Sequence, residues 1–89
     1  MISRDLTISN KLGLHARAAS KFVAEAQKFA AEITVDNKGK AVNGKSIMSV
    51  MLLAAKQGTV LAISADGADE SEALDAIEAL LDDKFGEGE

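Results

Sequence analysis

The segment GLHARAAS, residues 13–20, holds the only histidine of the chain, His15. With no second histidine and no cysteine to share an ion, a metal site is not expected there. A Ser–His–Asp hydrolase is not expected either, because the sequence has no nucleophile elbow and too little room for a substrate pocket. Structurally, a lone histidine is usually a surface residue, and as a helix N-cap it is inferior to Ser, Thr, Asp or Asn. Its position supports a different chemistry. The residues that follow have a helical pattern, and a helix N-terminus offers free backbone N–H groups and the positive end of the dipole to an anion. The same field favours a neutral, nucleophilic imidazole. Arg17, two residues on, supplies a forked donor for phosphate oxygens. Gly13 lets the backbone approach closely and leaves the ring accessible. These residues together describe a histidine that accepts a phosphoryl group and passes it on.

The elements that must hold this histidine can be read from hydrophobic spacing. Residues 2–8 (ISRDLTI) alternate in polarity as a half-buried strand does. From Ala16 to about Lys28 the positions Ala19, Phe22, Val23, Ala26 and Ala30 form one apolar helical stripe, with Arg17, Lys21 and Lys28 on the other side. EITVD (32–36) and KAVN (40–43) read as strands joined by a tight hairpin through Asn37, Lys38 and Gly39. Ser46 precedes the run IMSVMLLAA, a short helix ending near Gly58, with Val50, Leu53 and Ala54 facing inward. TVLAISA (59–65) is apolar on both faces and reads as an interior strand. A helix from about Asp69 to Asp83 turns Ala73, Leu74, Ile77, Leu80 and Leu81 inward, and the tail GEGE is expected to fray. Strand, helix, strand, strand, helix, strand, helix predicts an α+β two-layer sandwich with the helices on one face of the sheet.

Composition narrows the functional classes. Eighty-nine residues with 47% apolar content suit a single domain, residues 1–89, with one modest core. The absence of cysteine removes disulfides and thiol chemistry. No run reaches membrane-spanning length and the N-terminus lacks a signal-peptide pattern, so a soluble cytoplasmic protein without membrane association is expected. Aromatic content of 3%, all phenylalanine, argues against a single-strand nucleic-acid binder. The net charge of −4 divides unevenly: residues 66–89 carry ten acidic groups against Lys84, whereas residues 1–65 carry nine basic groups against four acidic. The histidine end is therefore basic, suited to an anion or an acidic partner but too weakly charged for DNA.

LGLHARAASKFV resembles the active-site signature of the HPr family, the histidine-containing phosphocarriers of the bacterial phosphoenolpyruvate-dependent phosphotransferase system. EITVDNKGKAVNGKSIMSVM and QGTVLAISADGADESEAL resemble later segments of the same family, so the similarity covers nearly the whole chain. The resemblance implies an open-faced sandwich of a four-stranded antiparallel sheet with three helices on one face. It implies that enzyme I donates a phosphoryl group to a ring nitrogen of His15, Nδ1 in the family. The backbone N–H groups of Ala16 and Arg17 and the Arg17 guanidinium would receive the phosphate oxygens. A histidine of an enzyme IIA domain would then take the group, in support of sugar uptake or regulation. No metal or other cofactor is implied, and such a protein is a covalent carrier, not an enzyme in its own right. A monomer is expected.

One position departs from the family: Ala18 stands where proline is most common. Proline there pre-sets the first turn at no hydrogen-bond cost, and alanine keeps the helix while holding that turn less rigidly. Ser46 matches a position that a dedicated HPr kinase/phosphorylase modifies in some members, although a serine before an apolar helical run is also an ordinary N-cap. A phosphate there would add charge beside the docking surface. Ile47, Met48 and Met51 share one side of the short helix, where adaptable methionines suit a surface that accepts several partners. With Arg17, Ser20 and Lys21 they would form the docking patch. An acyl carrier protein, the first rival, needs a phosphopantetheine-bearing serine that is not present in its usual setting, and it is all-helical. The second rival is a non-catalytic HPr-like regulatory binding module acting through Ser46 and protein contacts.

Overall fold

A computed structural model describes residues 1–87. The order of elements is β1 (Ile2–Thr7), α1 (Ala16–Ala26), β2 (Glu32–Asn37), β3 (Lys40–Asn43), α2 (Ile47–Leu52), β4 (Val60–Asp66) and α3 (Glu70–Asp82), followed by a 3-10 turn at Lys84–Gly86. The four strands form one antiparallel sheet in the order β1-β4-β2-β3. The open-faced α+β sandwich predicted from the sequence is the architecture of the protein.

Register explains which face is covered. Leu6 lies opposite Leu61, Ile33 opposite Ala65, and Val35 between Ile63 and Val42. All of these but the half-buried Val42 are buried, and they meet Ala19, Phe22, Val23, Val50, Leu74, Ile77 and Leu81 from the helices in one core. The opposite face carries Ser3, Asp5, Thr7, Thr34, Ala62 and Ser64. β4 is interior, as predicted, but its burial alternates: Leu61, Ile63 and Ala65 are buried whereas Val60 is exposed. A strand apolar on both faces was the expectation; only one layer of helices covers the sheet, and small residues occupy the bare side. The β2–β3 hairpin turns on Lys38 and Gly39, both at positive φ (54° and 94°), the combination that fits the twist of the flanking strands.

Several local expectations need correction. Helix α1 stops at Ala26, so Ala30 lies beyond it and is exposed, while Ala18 and Ala31 join the core instead. The physical reason is Asp69, whose carboxylate accepts the N–H groups of Ala30 and Ala31 at 2.8 and 2.9 Å and draws the chain out of helical geometry. Helix α2 stops at Leu52, well before Gly58. Its C-terminal turn is closed by Ala54 at φ 51°, which leaves Ala54 exposed and sends Ala55 into the core. Gly58 instead donates to the Ile8 carbonyl at 2.8 Å and starts the approach to β4. Nor does the tail fray as predicted at Gly86 and Glu87, which are engaged as described below; residues 88 and 89 lie outside the described residues.

Candidate functional site

The loop between β1 and α1 is built around Asn10, which is fully buried. Its amide nitrogen donates to the Gly13 carbonyl at 2.7 Å, and the Gly13 N–H returns to the Asn10 carbonyl at 3.2 Å. Gly13 has φ +69°, and the next N–H, that of Leu14, donates to the Ala55 carbonyl at 2.8 Å. The glycine therefore packs directly on the connection that follows α2, and its close approach is to protein backbone. Leu14 is buried and fixes the entry to α1.

His15 is the N-cap of α1, with extended backbone (φ −73°, ψ 179°) and its carbonyl accepting the Ala19 N–H at 2.8 Å. The cap is made by the ring itself: Nδ1 accepts the Arg17 N–H at 3.3 Å. The residue type judged poor for a cap thus fills that role and aims one ring nitrogen along the helix N-terminus. The other nitrogen, Nε2, lies 2.5 Å from a carboxylate oxygen of Glu87. Glu87 Oε1 accepts from the Asn10 amide at 3.0 Å. The Asn10 amide is the main influence holding the Glu87 carboxyl below the usual range; partial burial opposes it, and His15 and Lys21 add to it.

Sequence reasoning missed Glu87 altogether. It put the acidic C-terminal segment and the basic histidine end at opposite poles, whereas the chain brings a carboxylate of the first onto the imidazole of the second. The available signal was Phe85, which extends the stripe of Ile77 and Leu81 by one further turn. Phe85 is buried and anchors the 3-10 turn. The Lys21 ammonium donates to the Phe85 carbonyl at 2.6 Å, and the Ser9 hydroxyl to the Leu81 carbonyl at 2.8 Å. Lys21, expected to add charge to the docking patch, is exposed and also holds the turn that carries Glu87.

Around His15 lies an open depression of about 610 Å³ lined by Lys11, Leu12, Ala16, Arg17, Gly86 and Glu87. The His15 side chain is 29% exposed, enough for a reacting group to reach it. Arg17 and Ser20 are exposed on α1, and Ala18 is buried in its first turn. Ser46 caps α2, its hydroxyl accepting the Ser49 N–H at a long 3.4 Å. Beyond it Ile47 and Met48 are exposed and Met51 is half-buried against the core; Leu52 on the same helix and Leu12 beside His15 are exposed apolar residues outside the predicted set. Helices α1 and α2 pack side by side. Among the described residues no cluster of three or more His, Cys, Asp or Glu side chains could hold a metal ion, and no helix is long and apolar enough to cross a membrane.

The protein is a small open-faced α+β sandwich with one accessible histidine capping its first helix. The family model described as the PTS HPr component phosphorylation site matches residues 2–83. Phosphocarrier protein HPr of Neisseria meningitidis serogroup A is 51% identical over 89 residues, covering all of both chains. That of Cupriavidus necator is 49% identical over the same length. The crystal structure of HPr-C-His from Thermoanaerobacter tengcongensis superposes with a TM-score of 0.94 at 48% identity, covering 98% of each chain. The chain belongs to the HPr family, the phosphocarrier proteins of the phosphotransferase system.

Proposed function

We propose that His15 is the phosphoryl acceptor and donor of this carrier. The observation that supports this best is the orientation of the ring, whose Nδ1 presents a lone pair at the N-terminus of α1. The Nδ1 pair forms a bond to phosphorus as the N–P bond of phospho-enzyme I breaks, and the donor nitrogen keeps its own electron pair. The Arg17 N–H, which now meets Nδ1, then turns to a phosphate oxygen. The Ala16 N–H and the Arg17 guanidinium take others, so the dianion rests on oriented donors and the positive helix end. Transfer to a histidine of an enzyme IIA domain is the same exchange run outward. The carrier is read as a cytoplasmic monomer that meets each partner briefly.

Exposed Ile47 and Met48, with Leu12 and Leu52, provide the apolar centre for docking, and Arg17 provides charge at its rim. Met51 contributes an edge only, and Ser20 lies on the α1 side. A second reading, regulation by an HPr kinase at Ser46, is favoured by the partial exposure of that residue and its weak cap. Labelling with radioactive phosphoenolpyruvate and catalytic enzyme I tests the main reading. Acid-labile, base-stable label on the protein and none on His15→Ala is expected. Absence of label from the folded protein would remove the carrier reading and leave the Ser46 module.

A further inference from the structure

The Glu87 carboxylate enters none of the steps above, yet it makes the shortest polar contact of the site. We propose that Asn10 and Glu87 are a positioning pair that fixes the proton of His15 on Nε2 and so keeps Nδ1 as the lone-pair nitrogen throughout the phosphoryl cycle. Its consequence for transfer rests on the carrier reading; the proton placement rests on geometry alone.

The Asn10 amide has two N–H donors, and both are used: one on Gly13 O at 2.7 Å and one on Glu87 Oε1 at 3.0 Å. A flipped amide would set its oxygen against two acceptors, so the orientation is determined. The buried Asn10 Oδ1 has no partner among the described residues, a cost tolerated for that orientation. Glu87, ionised, can only accept, and its second oxygen faces Nε2, which must therefore donate. At the other side of the ring Nδ1 faces the Arg17 N–H, which demands a lone pair. Both neighbours require the same tautomer. The carboxylate is held in place by the buried Phe85 and by Lys21 on the Phe85 carbonyl.

This arrangement has a chemical consequence. When Nδ1 bonds to phosphorus, the ring keeps its Nε2 proton and becomes cationic, with Glu87 as the facing anion. When the phosphoryl group leaves, the electron pair returns to Nδ1 and the neutral Nε2–H imidazole is restored. No proton has to move in either half of the cycle.

The test is 15N NMR of the imidazole in the full chain at about pH 9, above the ordinary histidine range. The pyridine-type resonance is expected on Nδ1 in the unaltered protein. In Glu87→Gln the Asn10 donor attracts the new amide oxygen, which turns the amide N–H₂ toward Nε2 and reverses the demand. The pyridine-type resonance should then shift toward Nε2. Single-turnover transfer from phospho-enzyme I should slow by about 10- to 100-fold, the worth of one hydrogen bond to a charged group, with KM for enzyme I unchanged. Glu87→Ala should give mixed tautomers and an intermediate rate. Backbone amide spectra report that each variant is folded. An unaltered tautomer and rate in Glu87→Gln would overturn the proposal while label on His15 still upheld the carrier. A reversed tautomer in a protein that takes no label would overturn the carrier reading and leave the proton placement standing.

Discussion

Replacing Gly13 with alanine tests whether the histidine loop is held by its contact with the connection after α2. Two costs arise, and the structure separates them. The residue has φ +69°, a region where an L side chain costs about 1–2 kcal/mol. A Cβ at this position would lie 2.4 Å from the Ala55 carbonyl oxygen and 2.8 Å from Lys56 Cα, both backbone atoms that cannot rotate away. Relieving such overlap costs about 1–3 kcal/mol more. Gly13→Ala should therefore destabilise by about 2–5 kcal/mol. Gly58 provides the control, since it has φ +90° but no atom within 4 Å of an added Cβ. Gly58→Ala should lose only the conformational part, about 1–2 kcal/mol. Urea unfolding monitored by far-UV circular dichroism measures both, with each kcal/mol also lowering Tm by about 4–8 °C in a domain of this size. Equal losses in the two variants would refute the packing argument and show that the loop does not depend on close approach to Ala55.

Acid should destabilise the fold through three carboxylates held below the usual range: Asp69 mainly by the Ala30 N–H, Glu70 mainly by the Gly67 N–H, and Glu87 mainly by Asn10. A depressed folded value means stability present above the ordinary carboxylate pKa of about 4 and lost as pH falls through the folded one, so Tm should drop from about pH 4 downward. Asp69→Ala should flatten that drop; a Tm profile of unchanged slope would count against the assignment. Phe85→Ala empties a buried site at a cost of about 3–5 kcal/mol and should release the terminal turn, giving the same imidazole 15N pattern as Glu87→Ala. An unchanged imidazole spectrum would show that Phe85 does not anchor Glu87. Ala18→Pro falls in the first turn of α1, where N–H groups have no helical partner. It should raise stability by about 0.4–1 kcal/mol, read as a higher urea midpoint, and a lower midpoint would show that the ring does not fit the buried position.

Elements governed by local periodicity were legible in the sequence: the stripe Phe22–Val23–Ala26, the Lys38–Gly39 turn and the Ala73–Leu74–Ile77–Leu81 face each follow from spacing alone. His15 and Arg17 were legible because helix start and anion chemistry coincide within a few residues. The errors share one cause, contacts between distant segments. Asp69 ends the helical stretch before Ala30 from 39 residues away. Ala54 adopts a left-handed conformation and Ala55 turns inward to meet Leu14. Glu87 closes on His15 across 72 residues. An alanine, an aspartate or a terminal glutamate carries no local mark of such a role, whereas Phe85 did, through its place in the α3 stripe.

The strand order also governs assembly. The centre of the sheet needs β4, residues 60–66, because β1 and β2 do not pair with each other and each pairs with β4 along nearly its full length. Until β4 pairs, only β2–β3 can form, so roughly the first two-thirds of the chain holds one hairpin and two helices with no completed sheet to cover. Pairing of one seven-residue segment then joins both halves at once and gives α3 a surface to cover. A defect in β4 therefore leaves the apolar faces of β1 and of the β2–β3 hairpin uncovered together.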